Sequence, residues 1–136
     1  MFLFKTSGDT FASVIKNQKH AFGFEPRNWK INELVLISKN KKDCKKEEKQ
    51  IQYIMRLDDI RKLRKGEIEK YWPGNDTDRW KYLVICNKTK NIDQPFNLID
   101  LLGKDFISYR YIVNCKKIEP DHEKVIQKYL KTIGAL

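Results

Sequence analysis

Trp72 and Trp80 bracket the segment Trp72-Pro73-Gly74-Asn75-Asp76-Thr77-Asp78-Arg79-Trp80. Pro-Gly and Asn-Asp are turn residues, so the two indoles flank a loop. A second aromatic group, Phe22-Gly23-Phe24, carries a glycine that permits close backbone approach. Flat rings around a slot suit a planar, π-faced ligand such as an unstacked nucleobase, each base–aromatic stack being worth about 1–3 kcal/mol. A methyl on an exocyclic amine adds only about 0.8 kcal/mol by area. Selectivity for a methylated base must therefore come from rings closing around it and from hydrogen bonds to its edge. Aromatic rings are also ordinary core material. That alternative is strong for Trp80, which starts an alternating strand, and weaker for Trp72, beside Pro-Gly in a polar stretch.

Catalytic constellations are sparse. The chain has no G-x-S-x-G, P-loop, G-x-G-x-x-G or H-E-x-x-H. His122 sits at the start of a helix. Glu47-x-Lys49 lies in a lysine-rich loop, and Pro120-Asp121 is ordinary helix-start chemistry. The enzymatic alternative is a metal-dependent nuclease or RNA-modifying domain using Asp58, Asp59 or Asp100, which predicts turnover of bare nucleic acid. Cys44, Cys86 and Cys115 are widely spaced with no C-x-x-C, and only His20 and His122 could join them. Neither a disulfide framework nor a zinc site is expected, and no metal or cofactor.

Lys and Arg number 28 against 18 Asp and Glu, a net charge of +10 that favours a polyanionic partner. Lys39, Lys41, Lys42, Lys45 and Lys46 form one basic cluster, and Arg61, Lys62, Arg64 and Lys65 another. Each reads either as a phosphate-binding surface or as a solvated face. No apolar stretch reaches a bilayer-spanning length, and the first residues lack the pattern of a signal peptide. The chain reads as soluble and cytoplasmic, with no membrane partner.

Elements to position these groups can be placed along the 136 residues, which read as a single domain, 1–136. Residues 2–6 form a strand, and Ser7 to Thr10 a turn with an N-cap. A short helix follows, with Phe11, Val14 and Ile15 on one face. Leu34 to Ile37, Ile51 to Leu57 and Phe106 to Val113 read as strands. Trp80 to Cys86 reads as a strand with Trp80, Tyr82, Val84 and Cys86 on one face. Lys39 to Gln50 is a polar loop. A closing helix opens at Pro120 or Asp121, carries Val125, Ile126, Tyr129, Leu130 and Ile133 as one stripe, and ends near Gly134. The pattern predicts an α+β fold: a small curved barrel of five to six mostly antiparallel strands with flanking helices.

The order of these motifs resembles the YTH domain, within the PUA-like group that includes EVE domains. The opening strand Phe2-Leu3-Phe4-Lys5-Thr6-Ser7 is similar to that family's F-x-I-K-S. His20-Ala21-Phe22-Gly23-Phe24 matches its aromatic turn, and Leu34-Val35-Leu36-Ile37-Ser38 its next strand. Trp72 to Val84, Pro95-Phe96-Asn97-Leu98-Ile99, and Ile107 to Leu130 match the rest, nearly the whole chain. The resemblance implies a non-catalytic reader that cages a flipped or unstacked modified base. Trp72 and Trp80, with Phe22 or Phe24, would be the cage walls. Lys5, Thr6 and Ser7 would meet the base edge, and Lys39, Lys41, Lys42, Arg79 and Arg110 the phosphates. N6-methyladenine is the base implied first, with a modified cytosine, as for EVE-type domains, alongside. DNA is favoured, because the chain also resembles the specificity module of McrB-type modification-dependent restriction systems. A nucleotide-hydrolysing motor and a nuclease subunit would then be its partners. RNA is the close rival, since single strands present bases already unstacked. A PUA-like interaction module with Trp72 buried in the core is the third reading.

Overall fold

In the computed structural model, residues 1–75, 78–111 and 114–136 are described. Two members of the two-Trp segment, residues 76 and 77, and the end of the strand expected over 106–113 lie outside them. The strands β1 (Phe2–Thr6) and β3 (Leu34–Lys39) are apolar on both faces. Period-two alternation divides their side chains between two cores. Leu3, Leu34 and Leu36 enter one, while Phe2, Phe4, Val35 and Ile37 enter the other. Strands covered on both sides belong inside a sheet. These two pair in parallel, with Phe2 opposite Val35 and Phe4 opposite Ile37.

Around that pair the other strands run antiparallel. They are β2 (Lys19–Phe22), β4 (Ile51–Lys62), β5 (Tyr82–Phe96) and β6 (Cys115–Lys117), in the order β2-β5-β4-β3-β1-β6. The β4–β5 register shifts at Ile51/Tyr53, Ile54/Arg56 and Leu57/Asp59. Such irregularities bend a ladder and raise its twist, giving a six-stranded half-barrel with flanking helices, the architecture expected. Helix α1 (Gly8–Asn17) follows Ser7 at its N-cap, and α2 (Glu67–Tyr71) leads into the two-Trp segment. Val14 of α1 and Ile68 of α2 sit in the core that holds Phe4 and Ile37. The opposite core takes α3 (Leu98–Leu102) and α5 (Pro120–Thr132), through Leu98, Leu102, Ile126 and Leu130.

Three expectations change. Residues 106–111 do not form a strand: a 3-10 turn over Gly103–Phe106 runs into α4 (Ile107–Arg110). This coil buries Tyr109, whose hydroxyl oxygen accepts the Glu119 N–H at 3.1 Å and lies 2.6 Å from His122 Nδ1. Trp80 precedes β5 rather than starting it, and both Leu83 and Val84 are buried, so that strand is covered on two sides. In α5, Ile126 and Leu130 are buried, whereas Val125 is exposed. None of the helices among the described residues is long and apolar enough to cross a membrane.

Candidate functional site

Helices α1 and α2, strand β2 and the two-Trp segment enclose a pocket of about 50 Å³. Trp72 and Trp80 both line it, with His20, Thr10 and the Asn75 amide; Val14, Ala21 and Ile68 supply apolar surface. The walls are held from behind. Glu67, in the first turn of α2, accepts from both Nη atoms of Arg61 at 2.7 Å and from the Arg64 N–H at 2.6 Å. The Arg61 guanidinium is the main cause that draws the Glu67 carboxyl down to about 2. This clamp ties α2, and hence Trp72 at its C-cap, to the end of β4. On the other side Gly23 meets the loop. A Cβ there would stand 2.8 Å from the Arg79 carbonyl oxygen, which only glycine tolerates, and Lys81 N–H donates to Phe22 O at 3.0 Å.

Trp72 is only 6% exposed, and its Nε1 is buried without a hydrogen-bond partner among the described residues. A buried N–H left unpaired destabilises by about 1–3 kcal/mol, so an acceptor that reached it would bind with that advantage. His20 is a different kind of wall. Its ring stacks on Phe22 at 4.5 Å and meets Phe4 edge-on at 5.7 Å. Nδ1 lies 3.1 Å from the Ala21 carbonyl oxygen and Nε2 3.1 Å from Thr6 Oγ1. A carbonyl only accepts, so Nδ1 carries the proton and the Thr6 hydroxyl donates to Nε2. Burial pushes the imidazole pKa down to about 4, against smaller opposing effects of the Ala21 and Lys5 backbones. His20 is neutral at pH 7 with both nitrogens engaged, and it offers the pocket ring surface rather than acid–base chemistry.

The structure thus brings Trp72 and Trp80 to one pocket, and it relocates the other expected cage and edge residues. Phe22 is 0% exposed and packs in the core beneath His20, so the histidine takes the wall position. Phe24 is 44% exposed and lines a separate groove with Phe2 and Cys115. Thr6 is buried and its hydroxyl is engaged by His20. Ser7 Oγ lies 3.0 Å from Thr10 Oγ1, one residue behind the wall. Lys5 leaves the opposite face of β1, where its ammonium donates to the Arg110 carbonyl at 3.1 Å.

Of the expected phosphate ligands, Lys39 is turned inward by Glu48, whose two oxygens it meets at 3.1 and 3.2 Å. Arg79 is exposed and stacks 4.8 Å over the Trp80 ring, at the pocket rim. Lys41, Lys42 and Arg110 are exposed. Lys41, Arg110 and Lys5 line a second concavity of about 560 Å³. Of the thiols, Cys86 is buried, and burial pushes Cys86 and Cys115 up to about 12. Sequence reasoning missed His20 because a lone histidine after a lysine carries little signal. The clue lay in its spacing: His20 and Phe22 are two apart on a strand, which places them on one face.

No protein-family model matches the chain, and no curated protein matches it in sequence. Among solved structures it is similar to an ASCH protein from Zymomonas mobilis, with TM-score 0.61, 8% identity and 93% of each chain covered. A hypothetical protein from Leishmania major gives TM-score 0.61 at 12% identity, over 96% of this chain and 94% of that one. A protein from Pseudomonas putida gives 0.59 at 11%, over 93% and 97%. At these identities the likeness is one of fold. That fold is the PUA-like one expected, with ASCH as the named neighbour, where the sequence motifs resemble YTH and EVE domains.

Proposed function

We propose that this chain is a non-catalytic nucleic-acid-binding module that receives an unstacked, methylated base against Trp72 and Trp80. The observation that carries the reading is the buried Nε1 of Trp72, without a partner among the described residues, in the wall of a pocket shared with a second indole. A ring nitrogen or carbonyl of a base edge is the acceptor it lacks. The net charge of +10 and the exposed Arg79 at the rim favour a polyanion. The PUA-like fold, shared with an ASCH protein, is consistent with such a module.

Size sets a condition. A cavity of about 150 Å³ admits a benzene-sized ring, and this one is a third of that. It accommodates a methyl group and the edge that bears it; entry of the whole ring requires the Trp80 indole to swing outward. Extrusion from a duplex costs a few kcal/mol, which stacking on the indoles at about 1–3 kcal/mol per base and phosphate contacts offset. DNA is the preferred target and N6-methyladenine the first candidate base. Cleavage is assigned to partners, a nucleotide-hydrolysing motor with a nuclease.

The test is a titration with matched oligonucleotides, unmodified, N6-methyladenine and 5-methylcytosine, single- and double-stranded, as DNA and RNA, followed by Trp fluorescence. Tighter binding of one modified strand, with an indole signal lost in Trp80→Ala, supports the reading. Equal affinity for modified and unmodified strands overturns base reading, and divalent-metal-dependent cleavage of bare strands overturns the non-catalytic assignment.

A further inference from the structure

We propose that the second concavity is a nucleotide-binding groove for single-stranded nucleic acid, placing a phosphate on Lys41 and Arg110 and a base on the Phe106–Tyr111 side. The proposal rests on the nucleic-acid reading but uses a different surface. Neighbouring strand residues point to opposite faces. Thr6 bonds to the wall of the Trp pocket while Lys5 lines this groove, so the two concavities flank the same end of β1.

Three properties select the ligand. First, the charge is cationic and uncommitted. Among the described residues no carboxylate lines the groove, and neither Lys41 nor Arg110 has an acidic partner. By contrast Lys39, Arg61 and Lys117 are each neutralised by a glutamate. Second, Tyr111 is 76% exposed, with the Arg110 guanidinium 5.5 Å over its ring. Phe106 is partly buried and lines the same groove. An exposed ring beside a cation is the arrangement on which single-stranded bases stack. Third, Asn97 Oδ1 accepts the Gln50 N–H at 2.9 Å, which fixes the amide orientation. Its NH2 end has no partner among the described residues and is a donor for a base-edge acceptor. At about 560 Å³ the groove is in the range of small-molecule sites. An acidic peptide would match the charge and leave the rings unused.

The test uses the full chain with unmodified oligothymidylate and oligouridylate, which address ribose and deoxyribose separately. Lys41→Gln and Arg110→Gln should each flatten the slope of log affinity against log salt by about 0.7. Tyr111→Ala should weaken binding roughly tenfold. All three positions are exposed, and unchanged melting temperatures verify that the variants fold. Ultraviolet cross-links mapped by mass spectrometry should fall on Tyr111 or Phe106. If wild type binds these strands, yet the variants keep its affinity and slope and adducts fall only around Trp72 and Trp80, the groove is overturned and the functional reading stands. Loss of modified-base preference in Trp80→Ala with groove binding intact supports two separate sites. Competition by polyglutamate as strong as by oligonucleotide overturns nucleotide selectivity. Absence of binding to any strand overturns both readings.

Discussion

Thr6 Oγ1 lies 3.1 Å from Nε2 of His20 and, in the tautomer that the Ala21 carbonyl fixes at Nδ1, its hydroxyl donates to the ring that lines the Trp pocket. Thr6→Val keeps the shape and deletes the donor, leaving Nε2 a buried acceptor without a partner. The loss should be about 1–3 kcal/mol, a drop of several degrees in melting temperature for a chain of this size. Calorimetry of Thr6→Val against wild type decides this, and an unchanged midpoint would show that the bond contributes nothing.

His20 also predicts a pH dependence. In the unfolded chain imidazole titrates near 6.5, whereas in the folded protein it takes a proton only near 4. Between those values the unfolded state binds more protons, so stability rises with pH through the window and is complete above about 6.5. As pH falls toward 4 the loss reaches at most about 3 kcal/mol. Glu33, Glu48 and Glu67, all held below the ordinary carboxylate range, act at lower pH. A series of thermal melts should show His20→Gln flat where wild type slopes; a parallel slope in both would assign the effect elsewhere.

Gly23→Ala should disturb the site from outside it. Its Cβ would meet the Arg79 carbonyl oxygen at 2.8 Å, so the loop must move and carry Trp80 with it. The expected result is a shifted Trp emission maximum and at least tenfold weaker binding of the modified strand. Wild-type emission and affinity in this variant would show that the contact relaxes locally.

Trp72 needs a gentler substitution than alanine. The ring is buried in the core with Phe4 and Ile37, and Trp72→Ala should cost about 3–5 kcal/mol of stability. Trp72→Phe removes the unpaired N–H while keeping most of the ring, and its stability should lie within about 1–2 kcal/mol of wild type. Modified-base affinity should nonetheless fall about tenfold. Retained affinity in Trp72→Phe would mean that no ligand reaches Nε1.

Glu67→Gln tests the clamp behind that indole. Neutralising the carboxylate weakens two charge-assisted bonds from Arg61, each worth about 1.5–3 kcal/mol when intact. Both stability and binding should decline in Glu67→Gln. The stability difference from wild type should vanish as pH falls from 4.5 toward 2, where the Glu67 carboxyl protonates. A difference that persists at pH 2 would locate the effect in packing instead.

Where periodicity was long and apolar, the sequence could be read into structure. Phe2 to Thr6, Leu34 to Ile37 and the Ile126–Leu130 stripe announce β1, β3 and α5, because burial on a sheet or helix face imposes their spacing. Short elements were obscure. β2 has four residues, two of them Lys19 and His20, and exists because it pairs with Tyr82 to Ile85 far along the chain. Phe106 to Arg110 carries strand-like residues, yet burial of Tyr109 against His122 draws it into coiled turns. The same limit applies to the site. Composition marked the two indoles, but which neighbour completes their pocket depends on Phe22 filling the core and lifting His20 into the wall.

The pairing of β1 has a consequence for synthesis. Within this sequence β1 is synthesised before either of its partners, Val35 to Lys39 on one edge and Cys115 to Lys117 on the other. Until residue 117 has emerged, Phe2-Leu3-Phe4 presents an open, greasy ladder edge of the kind that recruits foreign strands. Nascent chains truncated before β6 should therefore depend on holdase chaperones, and the completed chain should close that edge only after a slow, long-range search.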